Sequence, residues 1–511
     1  MAGSQLFSCA CCQSKKAATS LTACTGCHLV HYCNRTCQQT HWLIHKKDCK
    51  SPLIKTTWQP GWEVSNRAPT FVGDGPPMTS IGAKKYFWGN VPAVDVLCLD
   101  KNEGKAYGND LEVLFAASGD PRNAIKTIAA LPVTYTNTLG VTMNDRDFDI
   151  VARNAIMMLV ACVCPDKDDA TDCVLHIWFS SMIRPQEQEL LDTSIRPLIA
   201  DVVLKIASKT AGSLQRKTWK LGNNTIRLTI LKEQWTTLLS YFRVPQGVTE
   251  QSAQRIRTAV TMARRDHIDR SYLAQQPAHR VCMEKFRMNG ILLPFGDSMA
   301  AFSIPNPTFF RTTDWPMMDS ADPLNGWDWR EVLKTDSGLA TNDLYGKLTV
   351  SNIVDRAYLG VEKTVGYLGP LLQPRKVHSH ATLLALFMNS VPEVMTEDES
   401  RKALATELKL VAQYMPPSRQ MLNSRYGGQI NMMMDASTLV RDVDKYMKQH
   451  QFDMFPQYMG MTLKEPHTLV EKWPLRVKLL PHQDGAKEEF KMVLSSSFTG
   501  IERYVEWQRT A

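Results

Sequence analysis

The sequence has no apolar run long enough to cross a bilayer. Its longest, Ala155 to Cys164, is about half of the ~20 residues a spanning helix needs. The start, "MAGSQLFSCACC", runs straight into cysteines and lacks the charged-then-apolar pattern of a secretory signal. There is no internal repeat, no G-x-x-x-x-G-K-[ST] phosphate loop, no H-E-x-x-H and no G-x-S-x-G elbow. Paired acids such as "EDES" (397–400) occur, but nothing in the pattern gathers them into a site. These absences point to an intracellular protein, cytoplasmic or nuclear, with no membrane partner. In that compartment disulfides are rare and clustered cysteines mean metal or catalysis.

What is abundant is unevenly placed. Of 13 cysteines, eight lie between Cys9 and Cys49. The other five sit among apolar neighbours and read as small buried hydrophobes. Of the net +8, residues 1–50 carry +5. That excess suggests a nucleic-acid finger until the thiols are counted as thiolates. Seven thiolates around two Zn²⁺ bring the segment to about +2, so nucleic acid is not an expected partner.

The ligand pattern is Cys9-x2-Cys12, Cys24-x2-Cys27, Cys33-x3-Cys37 and His45-x3-Cys49. Two intervening residues let both sulfurs of a knuckle reach one tetrahedral ion. Three put ligands at i and i+4 on one helix face. Four pairs imply two ions, and zinc suits all-sulfur and sulfur–nitrogen sets alike. Cys11, His28, His31 and His41 are surplus, and spacing alone does not exclude His41. The segment has only nine large apolar residues, too few to fold fifty residues without metal.

Residues 9–49 resemble a MYND-type zinc finger, through the eight ligands, "Tyr32-Cys33", "Cys37-Gln38" and "Trp42-x2-His45-Lys46". The resemblance implies interleaved sites: Cys9, Cys12, Cys33 and Cys37 on one ion, and Cys24, Cys27, His45 and Cys49 on the other. It also implies a protein-interaction module that docks proline-rich peptides, with Gln38 and Trp42 at the groove. A glutamine can pair with an extended backbone, and an indole offers a flat face to proline. Trp42 could equally fill the finger's small core. Some MYND fingers sit in SET-domain methyltransferases, but the Asn-His-Ser-Cys stretch of those enzymes is absent here.

Residues 51–85 read as a Pro/Gly-rich linker, with Trp58 and Trp62 hinting that it lies on the body. An α/β body is expected over 86–400 and a helical or mixed region over 401–511. The pattern predicts a strand Val113–Ala117, a Ser118-Gly119-Asp120 turn and a helix from Pro121 to about Ala130. A strand Leu139–Met143, the acids after it and a long helix from Phe148 follow. The order resembles a class I methyltransferase. That implies a doubly wound, Rossmann-type core with added helical segments, and S-adenosylmethionine held by Gly119 and Asp145. The loop departs from that family: Phe115 replaces its strand acid, and its three glycine positions read Ala117, Gly119 and Pro121. "FWGNVPAVDVL", "DLEVLFAASGDPRNAIKTIAALP" and "NDRDFDIVARNAIMMLVA" resemble a second, uncharacterised domain. That domain recurs in fungal MYND-finger proteins and opens the axonemal dynein preassembly factors. "GILLPFGDS" (290–298) and "WPMMDSADPLNGWDW" (315–329) continue the likeness. An adaptor, regulator or assembly factor is therefore the leading reading, with a finger-guided methyltransferase as the alternative. The arginine-rich stretch 251–273 reads as an ion-paired helix face. "HSH" (378–380) alternates like a metal motif but has no third ligand nearby in sequence.

Overall fold

A computed structural model describes residues 6–72, 85–326, 361–388, 396–416, 459–495 and 502–510, with scattered positions between 432 and 457. The finger comes first. Strand Leu6–Ser8 pairs antiparallel with Lys15–Ala17, and Thr22–Ala23 with His31–Tyr32. The helix Arg35–Cys49 follows. Its N-cap is Asn34, whose side chain accepts the Cys37 N–H at 2.9 Å.

Residues 51–72, read as linker, form a strap held against the body, as the two tryptophans suggested. Trp62 is fully buried and meets Phe71 edge-on. Trp58 lies under the Arg280 guanidinium. The Gly61 N–H donates to Asp269, and Arg67 grips Asp266 through both terminal nitrogens at 2.6 and 2.7 Å.

In the body the strand–turn–helix reading holds. Strand Leu111–Ala116 lies parallel to Leu139–Asn144, and the helix Arg122–Ala129 crosses between them. The helix Phe148–Val163 is apolar on most faces and therefore sits inside, under the helix Lys167–Phe179. The doubly wound core is a different matter. Among the described residues this β–α–β unit is the only parallel sheet; the other sheets are antiparallel, and further parallel pairing is confined to isolated bridges. The surrounding mass is helical. The stretch 251–273 breaks into Glu250–Thr261 and Arg265–Tyr272.

A three-stranded sheet places Arg503–Arg509 between Leu383–Phe387 and Met461–Leu463. The domain boundary expected at 400 falls inside this sheet, because its central strand is contributed by the last residues of the chain. Among the described residues no helix is long and apolar enough to cross a membrane.

Candidate metal centre

The two Cys-x2-Cys knuckles are built alike. In each, the residue after the second cysteine closes the turn in left-handed backbone: Gln13 at φ 59° and His28 at φ 55°. Its N–H donates to the carbonyl of the first cysteine, Cys9 or Cys24, at 2.8 Å. The turn aims both sulfurs the same way. Backbone N–H groups support them, from Leu29 to the Cys27 sulfur and from Cys33 to the Cys9 sulfur, each at 3.4 Å.

Four ligand atoms converge at each of two points, all within 4.8 Å of one another: Cys9, Cys12, Cys33 and Cys37 at one, Cys24, Cys27, His45 and Cys49 at the other. The pairs interleave as the resemblance implied. The edges suit zinc. A tetrahedral ion with Zn–S of about 2.3 Å has S–S edges near ~3.8 Å and S–N edges near ~3.6 Å. Here Cys12–Cys33 is 3.7 Å and Cys24–Cys49 is 3.8 Å. His45 Nε2 lies 3.4 Å from the sulfurs of both Cys24 and Cys27.

The electrostatics make the same point. At the second site burial drives the Cys27 thiol far up and the His45 imidazole down to about 4. Buried donors turned toward one another need a cation to be stable as thiolates, and two zinc ions supply it. The first site is wetter. Cys12 is exposed, and hydrogen bonds from the Ser14 hydroxyl and backbone hold its thiol down to about 6.

The surplus residues fall elsewhere. His41 Nδ1 pairs with the Tyr32 hydroxyl at 3.1 Å, and its ring stacks on His45. His31 lies in the strand paired with Ala23. Cys11 belongs to neither cluster. Trp42 does not fill the finger core. It is 36% exposed, its edge touches His45 and the Lys50 ammonium stands 5.8 Å from its ring. Gln38, half-buried, is one turn earlier on the same face.

The pattern did not reveal how the first knuckle meets the body. The Gln13 side-chain amide donates to the Gly296 carbonyl at 3.2 Å and accepts the Ser298 N–H at 3.1 Å. Lys285 reaches Asp48 at 3.6 Å and caps Phe295. The finger's apolar residues thus join the body's core. The only hint was "GILLPFGDS" itself, the loop that receives the knuckle.

The two residues proposed to hold S-adenosylmethionine are brought together, but onto each other. Asp145 accepts the Gly119 N–H at 2.9 Å and the Asp147 N–H at 2.9 Å. Asn154 donates to the Gly119 carbonyl at 2.7 Å. Asp120 is buried and takes hydrogen bonds from Arg122, Trp178 and Gly89. Arg153 is buried between the rings of Phe87 and Phe309 and donates to the carbonyls of Ile177 and Trp178. The polar groups of Gly119 and Asp145 are thus partnered within the chain itself. The "HSH" pair does not converge: the rings are 6.3 Å apart, and His378 instead meets Tyr107 and Glu103.

The site defines a two-zinc finger fused to a mixed α/β body. Residues 9–49 match the MYND finger family, and residues 87–183 match a family described as "Domain of unknown function (DUF4470)". The chain is also similar to Dynein axonemal assembly factor 3 of Danio rerio, 28% identical over 125 residues, which is 24% of this chain and 26% of that protein. No solved structure matches the chain.

Proposed function

We propose that this protein is a zinc-stabilised adaptor that captures partner proteins and serves in their assembly, inside the cell. The observation that carries the reading is Trp42, held outward on a metal-locked helix with Gln38 beside it. Zinc fixes the helix, and the helix presents a flat aromatic face and an amide to an extended, proline-rich segment. The likeness to an assembly factor supports the larger role, and a closed Gly119–Asp145 loop supports a body that binds a client rather than turning one over.

The test is a titration of full-length, zinc-loaded protein into a labelled proline-rich peptide, read by fluorescence anisotropy. Trp42→Ala should abolish binding while both zinc ions stay bound. Leu43→Ala, whose side chain points away from this face, should bind normally. Unchanged binding by Trp42→Ala would remove the finger from the recognition step.

A further inference from the structure

Two stretches of the chain are rich in cations, and the fold treats them oppositely. Between Glu250 and Tyr272 most of the arginines are turned to internal partners, while Arg255 is exposed. Arg257 donates to the carbonyls of Phe286 and Arg287, Arg264 grips Asp319, and Arg265 pairs with Asp269 and Glu284. This is the ion-paired face that the sequence suggested.

The second stretch, 202–232, holds seven Lys/Arg and no acid. Most of it is a hairpin of strands Leu214–Leu221 and Asn224–Leu231, turned at Gly222 with φ 59°. Alternation sends Trp219 and Ile230 inward. The outer face carries Arg216, Thr218 and Lys220 on one strand and Thr225, Arg227 and Thr229 on the other, all exposed. Arg216 stands opposite Thr229, Arg227 opposite Thr218 and Lys220 opposite Thr225. Each cation therefore faces a threonine, and the three alternate between strands. Lys205 and Lys217 share Asp201. Arg216, Lys220 and Arg227 have no carboxylate partner among the described residues.

A face kept only for solubility mixes both signs. This one is of one sign, rigidly spaced and backed by a packed interior. We propose that the outer face of the hairpin Leu214–Leu231 docks an extended, acidic segment of a partner protein. Arg216 and Lys220 are four residues apart along one strand, roughly 13 Å, with Arg227 between them. An extended peptide with an acid at every second residue has the same spacing of roughly 6.6–6.8 Å. The threonine hydroxyls add neutral donors to carboxylates. Single-stranded nucleic acid would want aromatic faces for stacking, and here the hairpin's tryptophan is turned inward.

The proposal does not rest on the finger. Its test uses full-length, zinc-loaded protein and a fluorescein-labelled peptide alternating glutamate and threonine. Anisotropy should show binding that weakens as salt rises. The triple variant Arg216→Glu, Lys220→Glu, Arg227→Glu should bind at least ~10-fold more weakly. An equal charge reversal at Arg401, Lys402 and Lys409, all exposed on the helix Glu397–Tyr414, should bind as the wild type does. If the first variant unfolds by circular dichroism, the glutamine triple at the same positions replaces it, with weakened binding again expected. Failure to bind at low salt, equal loss in both charge reversals, or tighter binding of a duplex or single-stranded oligonucleotide would each overturn the proposal.

Discussion

The finger's knuckles and the loop after strand Leu111–Ala116 use the same turn chemistry for opposite ends. Each bends through left-handed backbone: Gln13 and His28 in the knuckles, Ala117 and Gly119 in the loop. In the knuckles the side chains so aimed are all donors of one kind, and they meet other donors. In the loop they meet complements: the Asp145 carboxylate meets an N–H, and the Asn154 amide meets a carbonyl. A place built for an outside group is marked by donors that cannot satisfy one another. A place that has closed on itself is marked by donors that already do.

Removing the metal should break the comparison hardest. Structural zinc contributes about 10–16 kcal/mol per site, so stripping both ions should unfold residues 9–49. Limited proteolysis of chelator-treated protein should cut within the finger and spare the helices around Phe148–Val163. The two ions should also leave at different rates. At the first site Cys12 is exposed, Cys33 and Cys37 are half-buried and only Cys9 is buried, whereas at the second Cys24, Cys27 and His45 are buried and only Cys49 is half-buried. A chromogenic chelator should therefore see two phases, and Cys27→Ser should remove the slower one. Single-phase release of both ions would mean that the sites open together.

The docking of the finger on the body gives a smaller effect. A Cβ built on Gly296 comes 2.9 Å from the Ala10 Cβ and 3.4 Å from Val30 Cγ1. Gly296→Val should push the first knuckle off its loop at a cost of about 1–3 kcal/mol. The fast phase of zinc release should speed up while the slow phase holds. If neither phase moves, the contact between knuckle and loop is incidental to the metal sites.

The eight ligands were legible because cysteine spacing encodes geometry locally, within a few residues of chain. The strand Leu111–Ala116, its helix and the strand Leu139–Asn144 were legible for the same reason: period and turn residues act at short range. Three features were not. Leu43 and Ile44 are among the finger's nine large apolar residues but are 71% and 68% exposed, since one helix packed on metal ligands leaves little interior to fill. The doubly wound sheet was inferred by extending one β–α–β unit. Whether further strands join in parallel depends on pairings hundreds of residues apart. The hairpin's unpaired cations were invisible because charge counts do not say which partners the fold supplies. Arg257, Arg264 and Arg265 looked similar and are internally paired.

Asp145→Ala tests the closed loop. If the carboxylate is a tie, losing it frees the Gly119 and Asp147 N–H groups and costs about 1–2 kcal/mol. The melting temperature should fall, and a calorimetric titration of S-adenosylmethionine should be flat for both proteins. A specific heat of binding in the wild type that disappears in the variant would instead make Asp145 a ribose ligand and restore the methyltransferase reading.

The smallest effect concerns a third carboxylate of the self-satisfied kind. Asp266 is buried beneath the strap and accepts from Arg67 and from the Thr70 N–H at 2.8 Å. The Arg67 hydrogen bonds lead in holding its carboxyl below the ordinary range. A carboxyl whose folded pKa is depressed stabilises above its unfolded pKa, near ~3.9, and that contribution is lost as pH falls through the folded value. Acid should therefore loosen the strap around Trp62, visible as faster proteolysis between 51 and 72. Zinc loss also occurs in acid, because thiolates must be protonated to release the metal. Asp266→Asn separates the two. It removes this carboxylate and leaves Asp269, which accepts the Gly61 N–H, and every zinc ligand in place. Strap cleavage in the variant should be faster than wild type at neutral pH and should rise less steeply with acid until the metal leaves. If instead the variant follows the wild-type profile at every pH, zinc and not Asp266 governs how the strap is held.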